Sequence, residues 1–121
     1  MTVSISLDCN DLEAQTDFWC AALGYDVQDR APMHVALAPR AGATGVRLYL
    51  NLVPEPKAVK NRMHLDWDVE DAQLEAARLE ALGAHRSHTG SLPAIGTAPA
   101  VAWITMLDPE GNEFCVEQLG R

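Results

Sequence analysis

The residues of this chain whose types and spacing suit chemistry are His64-Leu65-Asp66 and Cys115-Val116-Glu117. On an extended strand, positions two apart share a face. His64 then stands beside Asp66, and Cys115 beside Glu117. An imidazole with an ordinary pKa near about 6.5 moves protons at neutral pH, and a neighbouring carboxylate holds it in one orientation. The catalytic candidates are His64, as base or hydrogen-bond donor, and Glu117, as its acid–base partner; Asp66 competes with Glu117 for that role. The plainer alternative leaves both carboxylates solvated at a cleft mouth or paired with Arg47, with His64 satisfied by a carboxylate or water. Cys115 reads as a buried, inert thiol, because no cationic neighbour in sequence lowers its pKa.

These residues need elements to position them, and the chain supplies a near-repeat. Residues 4–24 and 62–83 each run strand, acidic turn, amphipathic helix, then Leu-Gly (Leu23-Gly24 and Leu82-Gly83). Two related modules in one domain over 1–121 follow: module one at about 1–53, a crossover at 54–61, and module two at about 62–121. Equivalent strands facing one another would place a cleft between the modules.

In module one, Val3, Ile5 and Leu7 alternate with Ser4, Ser6 and Asp8. Asn10 or Asp11 caps a helix carrying Leu12, Thr16, Trp19, Ala22 and Leu23 on one stripe, and Gly24 ends it. Strands are expected at 25–29, 33–38 and 46–53, the last with Leu48, Leu50 and Leu52 on one face and Arg47, Tyr49 and Asn51 on the other. Pro54 and Pro56 interrupt any central strand. Lys57, Lys60 and Arg62 near the crossover read as solvated; the alternative is a cleft rim that attracts an anionic ligand.

In module two, Met63, Leu65 and Trp67 alternate with His64, Asp66 and Asp68. Glu70 or Asp71 opens a helix to Leu82, with Leu74, Ala77, Arg78, Ala81 and Leu82 along its stripe. A strand at 84–88 precedes a Gly- and Pro-rich loop at 89–99, either a lid or passive. A hairpin of 101–107 and 113–119 turns around Asp108-Pro109-Glu110-Gly111-Asn112. His85 and His88, three apart on a strand, are expected on opposite faces; His34 reads as incidental. Trp19 and Trp67 read as structural, and Trp103 as lining either the pocket or a subunit contact.

Each module therefore reads β-α-β-β-β. The expected fold is α+β: two paired modules forming a cupped mixed sheet of about eight strands, with both helices on the outer face. The inward polar alternates would line the cleft: Ser4, Ser6, Tyr49, Asn51, His64, Asp66, Cys115 and Glu117. Such a mixed polar and aromatic lining suits a small molecule.

The 121 residues carry 9 Lys and Arg against 17 Asp and Glu, a formal charge of −8, which disfavours nucleic acid and anionic membranes as partners. No run approaches the roughly 20 apolar residues of a membrane span. The first residues lack a basic flank and an apolar signal core, so the expected location is cytoplasmic. Cys9, Cys20 and Cys115 are expected to be reduced, and no C-x-x-C pair suggests structural zinc. No nucleophile triad or phosphate-binding glycine loop is present.

The paired modules, the helices ending in Leu-Gly, the run Val53-Pro54-Glu55-Pro56-Lys57 with Lys60-Asn61-Arg62 and His64-Leu65-Asp66, and the ending Trp103 through Asp108-Pro109-Glu110-Gly111-Asn112-Glu113-Phe114-Cys115 carry a resemblance. Over essentially its whole length the chain resembles the glyoxalase, bleomycin-resistance and extradiol-dioxygenase (vicinal oxygen chelate) superfamily, and within it a glyoxalase-like subfamily frequent in actinobacteria. The resemblance implies a homodimer and, in metal-using members, one divalent ion held from four inward strand positions. Those positions fall here on Ser4 or Ser6, Asn51, His64 and Cys115. Neutral serine and asparagine oxygens supply no charge to offset dehydration of an ion. The expectation is therefore a metal-free small-molecule binder with no cofactor. The alternative is a lyase, isomerase or dioxygenase-type enzyme, with His64 as base or as one ligand of a divalent metal at a site shifted to include Glu117.

Overall fold

The chain folds as the same five-element unit twice. The structure, a computed structural model, describes residues 1–120. Module one holds β1 (Ser4–Cys9), α1 (Leu12–Leu23), β2 (Tyr25–Ala31), β3 (His34–Pro39) and β4 (Arg47–Leu52). Module two holds β5 (Asp66–Asp68), α2 (Ala72–Ala81), β6 (His85–Leu92), β7 (Val101–Leu107) and β8 (Glu113–Leu119). The chain divides between Ala58 and Val59, inside the expected crossover. Each unit is an α+β arrangement with its own four-stranded mixed sheet, ordered β1-β4-β3-β2 in one and β5-β8-β7-β6 in the other. In both, the first strand pairs in parallel with the last, and the remaining pairs are antiparallel.

Module one follows its sequence pattern closely. The Asp11 side chain accepts the Ala14 N–H at 3.0 Å and starts α1. Gly24, at φ 68°, ends it in the left-handed region that only glycine enters cheaply. Trp19, Thr16 and Ala22 are buried on the expected stripe, joined by Phe18 and Gln15. Trp19 and Phe18 meet edge to face at 5.2 Å between ring centroids. Val35, Leu37, Leu48 and Leu50 complete this core.

Module two departs from its pattern at three places. First, α2 buries Ala72, Ala76 and Leu79, an i, i+4, i+7 set, while the expected stripe of Leu74, Ala77, Arg78, Ala81 and Leu82 is exposed. The sheet explains this. Trp67 and Phe114 stack face to face at 5.2 Å, and Trp67 Nε1 donates to Glu75 on α2 at 2.9 Å. Arg78 clamps the same carboxylate at 2.6 Å, and its hydrogen bonds hold the Glu75 carboxyl below the usual range. With two large rings beneath the helix, Ala72 and Ala76 keep the buried face small at two positions, and Leu79 fills the third.

Second, β5 is shorter than expected, and His64 precedes it. Met63 is 81% exposed rather than turned towards the helix. The ladder to β8 ends where the Cys115 N–H donates to the Leu65 carbonyl. Upstream, side chains take over: Asn61 N–H donates to Glu113 Oε1 at 3.0 Å, and Asn61 Nδ2 to Asn112 Oδ1 at 2.9 Å. Third, β6 continues to Leu92, so the stretch expected to begin a loop at residue 89 is strand. Thr89 through Leu92 pair with Ile104 through Val101.

Among the described residues, Cys9, Cys20 and Cys115 are free thiols, and no helix is long and apolar enough to cross a membrane. Leu79 is fully buried and Leu74 is 70% exposed, which separates the two readings of α2 energetically. Leu79→Ala should cost about 2–5 kcal/mol of unfolding free energy in urea melts. Leu74→Ala should change it by less than about 0.5 kcal/mol.

Candidate functional site

The strand parity fixed by the α2 core decides which side chains line the opposite face. Phe114 and Val116 point towards α2, so Glu113, Cys115 and Glu117 point away. Parallel pairing sets Asp66 opposite Cys115 and Asp68 opposite Glu117. Antiparallel pairing sets Thr105 opposite Cys115 and Trp103 opposite Glu117. A cleft of about 530 Å³ opens on this face, and its lining comes from Lys60, His64, Asp66 and residues of β6, β7, β8 and the intervening loop.

The cleft has two kinds of wall. One is apolar: Leu92, Pro99, Val101, Trp103 and Leu119. The other is polar and mainly acidic: Asp66, Glu113, Glu117, Thr105 and Cys115, with His64, His88 and Lys60 also lining it. Trp103 owes its position to Gly90. A Cβ at residue 90 would collide with ring atoms Cζ2 and Cε2 of Trp103, so the indole lies directly over the glycine backbone.

His64 Nδ1 lies 2.8 Å from Asp66 Oδ1, the side-by-side pair read from the sequence. A carboxylate there favours the Nδ1–H tautomer and leaves Nε2 as the acceptor. Cys115 is only 7% exposed, and its sulfur is 3.4 Å from Thr105 Oγ1. Burial pushes the Cys115 thiol up, Asp66 and Glu117 push the same way, and the Thr105 contact offsets part of this. It is a packed thiol rather than a poised thiolate. Burial also raises the Glu117 carboxyl; Asp66 and Asp68 add to the rise by repulsion, and His64 opposes it.

The loop on which Lys60 and Asn61 depend is anchored by the hairpin turn. Buried Asp108 accepts the backbone N–H groups of Glu110 and Asn112 at 2.9 Å and also binds the Asn112 amide. Asn112 in turn accepts from Asn61. The turn signal Asp108-Pro109-Glu110-Gly111-Asn112 therefore does more than reverse the chain: it ties residue 61 to the start of β8.

Of the eight side chains assigned to the cleft from sequence, His64, Asp66, Cys115 and Glu117 line this one. Ser4, Ser6, Tyr49 and Asn51 lie on the module-one sheet, where Ser6 is in register with Tyr49 and Ser4 with Arg47. There Arg47 Nη1 donates to Tyr49 Oη at 2.7 Å, and His34 meets the Tyr49 ring edge-on at 6.4 Å. Lys60, read from sequence as solvated or as part of a cleft rim, lines the module-two cleft. The opposite-faces expectation for His85 and His88 fails because a bulge between Arg86 and His88 adds a residue. His85 is then in register with Leu107 and His88 with Thr105, two positions of one face.

Trp103 and Thr105 had a usable signal: a hairpin centred on Glu110 pairs them with Glu117 and Cys115. His88 had none, because its placement needs the bulge. Asp68 shares the parity of Asp66 and is in register with Glu117, but it does not line the cleft.

Over residues 4–117 the sequence matches the family described as Glyoxalase-like domain. The chain belongs to that family. Solved structures share this fold. A glyoxalase/bleomycin resistance protein/dioxygenase family enzyme from Burkholderia phytofirmans PsJN aligns with TM-score 0.75 and 18% identity, over 99% of this chain and 100% of that one. A glyoxalase-related enzyme from Fulvimarina pelagi aligns with TM-score 0.71 and 19% identity, over 98% and 88%. A mutant of the fosfomycin resistance protein FosX from Listeria monocytogenes, complexed with manganese(II) and 1S,2S-dihydroxypropylphosphonic acid, aligns with TM-score 0.69 and 15% identity, over 93% and 85%. A search of curated proteins gave no match. At these identities the glyoxalase-like likeness concerns the fold, and function must be argued from the site.

The crowded carboxylates make a linkage prediction. A carboxyl raised in the folded state is better tolerated protonated, so its ionisation opposes folding as pH rises. Glu117→Gln should therefore raise the melting temperature at about pH 7.5, and the gain should vanish towards about pH 4, where the unfolded carboxyl also holds its proton. Differential scanning fluorimetry across that range reads it.

Proposed function

We propose that this glyoxalase-like chain binds a small organic molecule in the module-two cleft without a resident metal. The observation that carries the reading is one cavity of about 530 Å³ with an apolar wall at Trp103, Val101 and Leu92 facing polar groups at His64, Asp66 and Glu117. Small-molecule sites have this composition and this order of size. Affinity comes from apolar burial against the indole wall, and orientation from the polar side.

His64, Asp66 and Cys115 bring ligand-type atoms within 4.8 Å of one another, the obvious place for an ion. The donor chemistry does not fit the manganese(II) of the FosX complex. A hard cation asks for several oxygens. Here one carboxylate is joined by an imidazole already bonded to it and by a thiol that burial keeps protonated. Zinc accepts such a mixed set in principle, but only with the thiol ionised. The reading is therefore metal-free.

A second reading rests on the His64–Asp66 contact. With Nδ1 held at 2.8 Å by the carboxylate, Nε2 is placed to take a proton from a bound substrate. His64 is then the base, Asp66 its orienting partner, and Glu117 a second proton carrier on the neighbouring strand. No metal enters this scheme, and the same cleft serves as the substrate site.

Protein purified without a histidine tag should contain well under one equivalent of any transition metal by elemental analysis. EDTA should leave its melting temperature unchanged. One tightly bound ion per chain would overturn the metal-free reading. In a thermal-shift screen of small aromatic compounds, hits should lose their shift in Trp103→Ala. Among hits that turn over, His64→Ala should abolish the reaction by about 100-fold or more; retained turnover would remove His64 as the base.

A further inference from the structure

The charge of the cleft narrows the ligand further. We infer that the module-two cleft selects an organic cation, an ammonium or guanidinium group carried on a flat apolar body. This deepens the binding reading above and rests on it. Trp103 and Asp68 flank Glu117 across two strand pairs, so an aromatic face and two carboxylates stand at adjoining positions of one surface. An indole face attracts a cation through its quadrupole and accepts a flat apolar group equally well.

Asp66 is engaged with His64 at 2.8 Å. Among the described residues, neither Asp68 nor Glu117 forms an ion pair. Lys60 is the one lysine lining the cleft, and its Nζ lies 3.3 Å from the Asn61 carbonyl. An anion entering here would meet Glu117, with Asp66 lining the same cleft and Asp68 at the adjoining register position. A cation meets the opposite field and relieves a repulsion already present in the free protein.

The cavity is essential to this argument, because exposed carboxylates alone select nothing. Gly90 is what admits the indole to the wall, since any side chain there would displace it. The sequence thus keeps an aromatic surface beside the acidic positions at the cost of a glycine within a strand.

The test uses three probes of similar size and the intact chain. Benzyltrimethylammonium is the cation, neopentylbenzene its uncharged isostere, and benzenesulfonate the anion. Binding is read by chemical-shift titration of the Trp103 indole and the His64 ring, assigned through Trp103→Phe and His64→Gln. The cation should bind at least about tenfold more tightly than the isostere, a preference of the size a partly desolvated cation–π contact with nearby carboxylates provides. The anion should not bind measurably. Glu117→Gln and Asp68→Asn should each reduce the cation's affinity several-fold and by more than they change the isostere's; should one variant fail to fold, the other still decides. Equal binding of cation and isostere would overturn the charge inference and leave the binding reading standing. Absence of shifts with all three probes would overturn both.

Discussion

Burial of one sheet face beneath α2 is the interaction on which module two depends. Trp67 stacks on Phe114, Val116 and Met106 are fully buried beside them, and Ala72, Ala76 and Leu79 close the layer from above. Each large apolar side chain so buried contributes about 1.5–3 kcal/mol. Repulsion between partly exposed carboxylates on the far face belongs to the weaker class of surface charge interactions, usually below about 1 kcal/mol a pair. The apolar side therefore dictates strand parity, and the acidic side accepts whatever positions remain. Asp66, Asp68 and Glu117 are neighbours because Trp67 and Val116 had to be inside.

That consequence connects stability to function. A fold selected only for solubility would scatter these charges. Here register gathers them next to an indole and a histidine at a cavity wall. The proposed binding draws on apolar contact and charge at that wall, and the proposed proton transfer on His64. Family membership alone carries neither proposal, because one fold serves several chemistries. Both proposals rest on position-by-position chemistry: a protonated thiol and a bonded imidazole are poor ligands for a hard cation, and Glu117 stands in register with Trp103.

The elements most legible in the sequence were those with strong local signals. The hairpin around residues 108–112 agrees at both strands, because its turn chemistry is unambiguous and its flanks alternate cleanly. Helix α1 was readable because its capping aspartate, its aromatic stripe and Gly24 agree with one another. Helix α2 misled because its alanines carry little contrast between faces. Leu74 and Leu82 drew the stripe outward, whereas the helix turns its small residues to the stacked rings beneath it. Among the candidate site residues, His64, Asp66, Cys115 and Glu117 followed from parity alone. His88 and Lys60 did not, since one depends on a bulge and the other on a loop held by Asn112 and Glu113.

Sequence by itself determined the two-module plan, the β-α-β-β-β order and the hydrophilic face carrying His64 and its acidic neighbours, because strand and helix periods are local properties of a chain. The tertiary structure alone decided which face of α2 is buried, where β5 begins, that β6 reaches Leu92, and that Trp103 closes the cavity over Gly90. Each of these depends on what a distant segment places opposite: ring volume under a helix, a ladder partner for a backbone carbonyl, or space left by a missing side chain. No local period encodes such a choice, because the energy that settles it is shared between residues far apart in the chain.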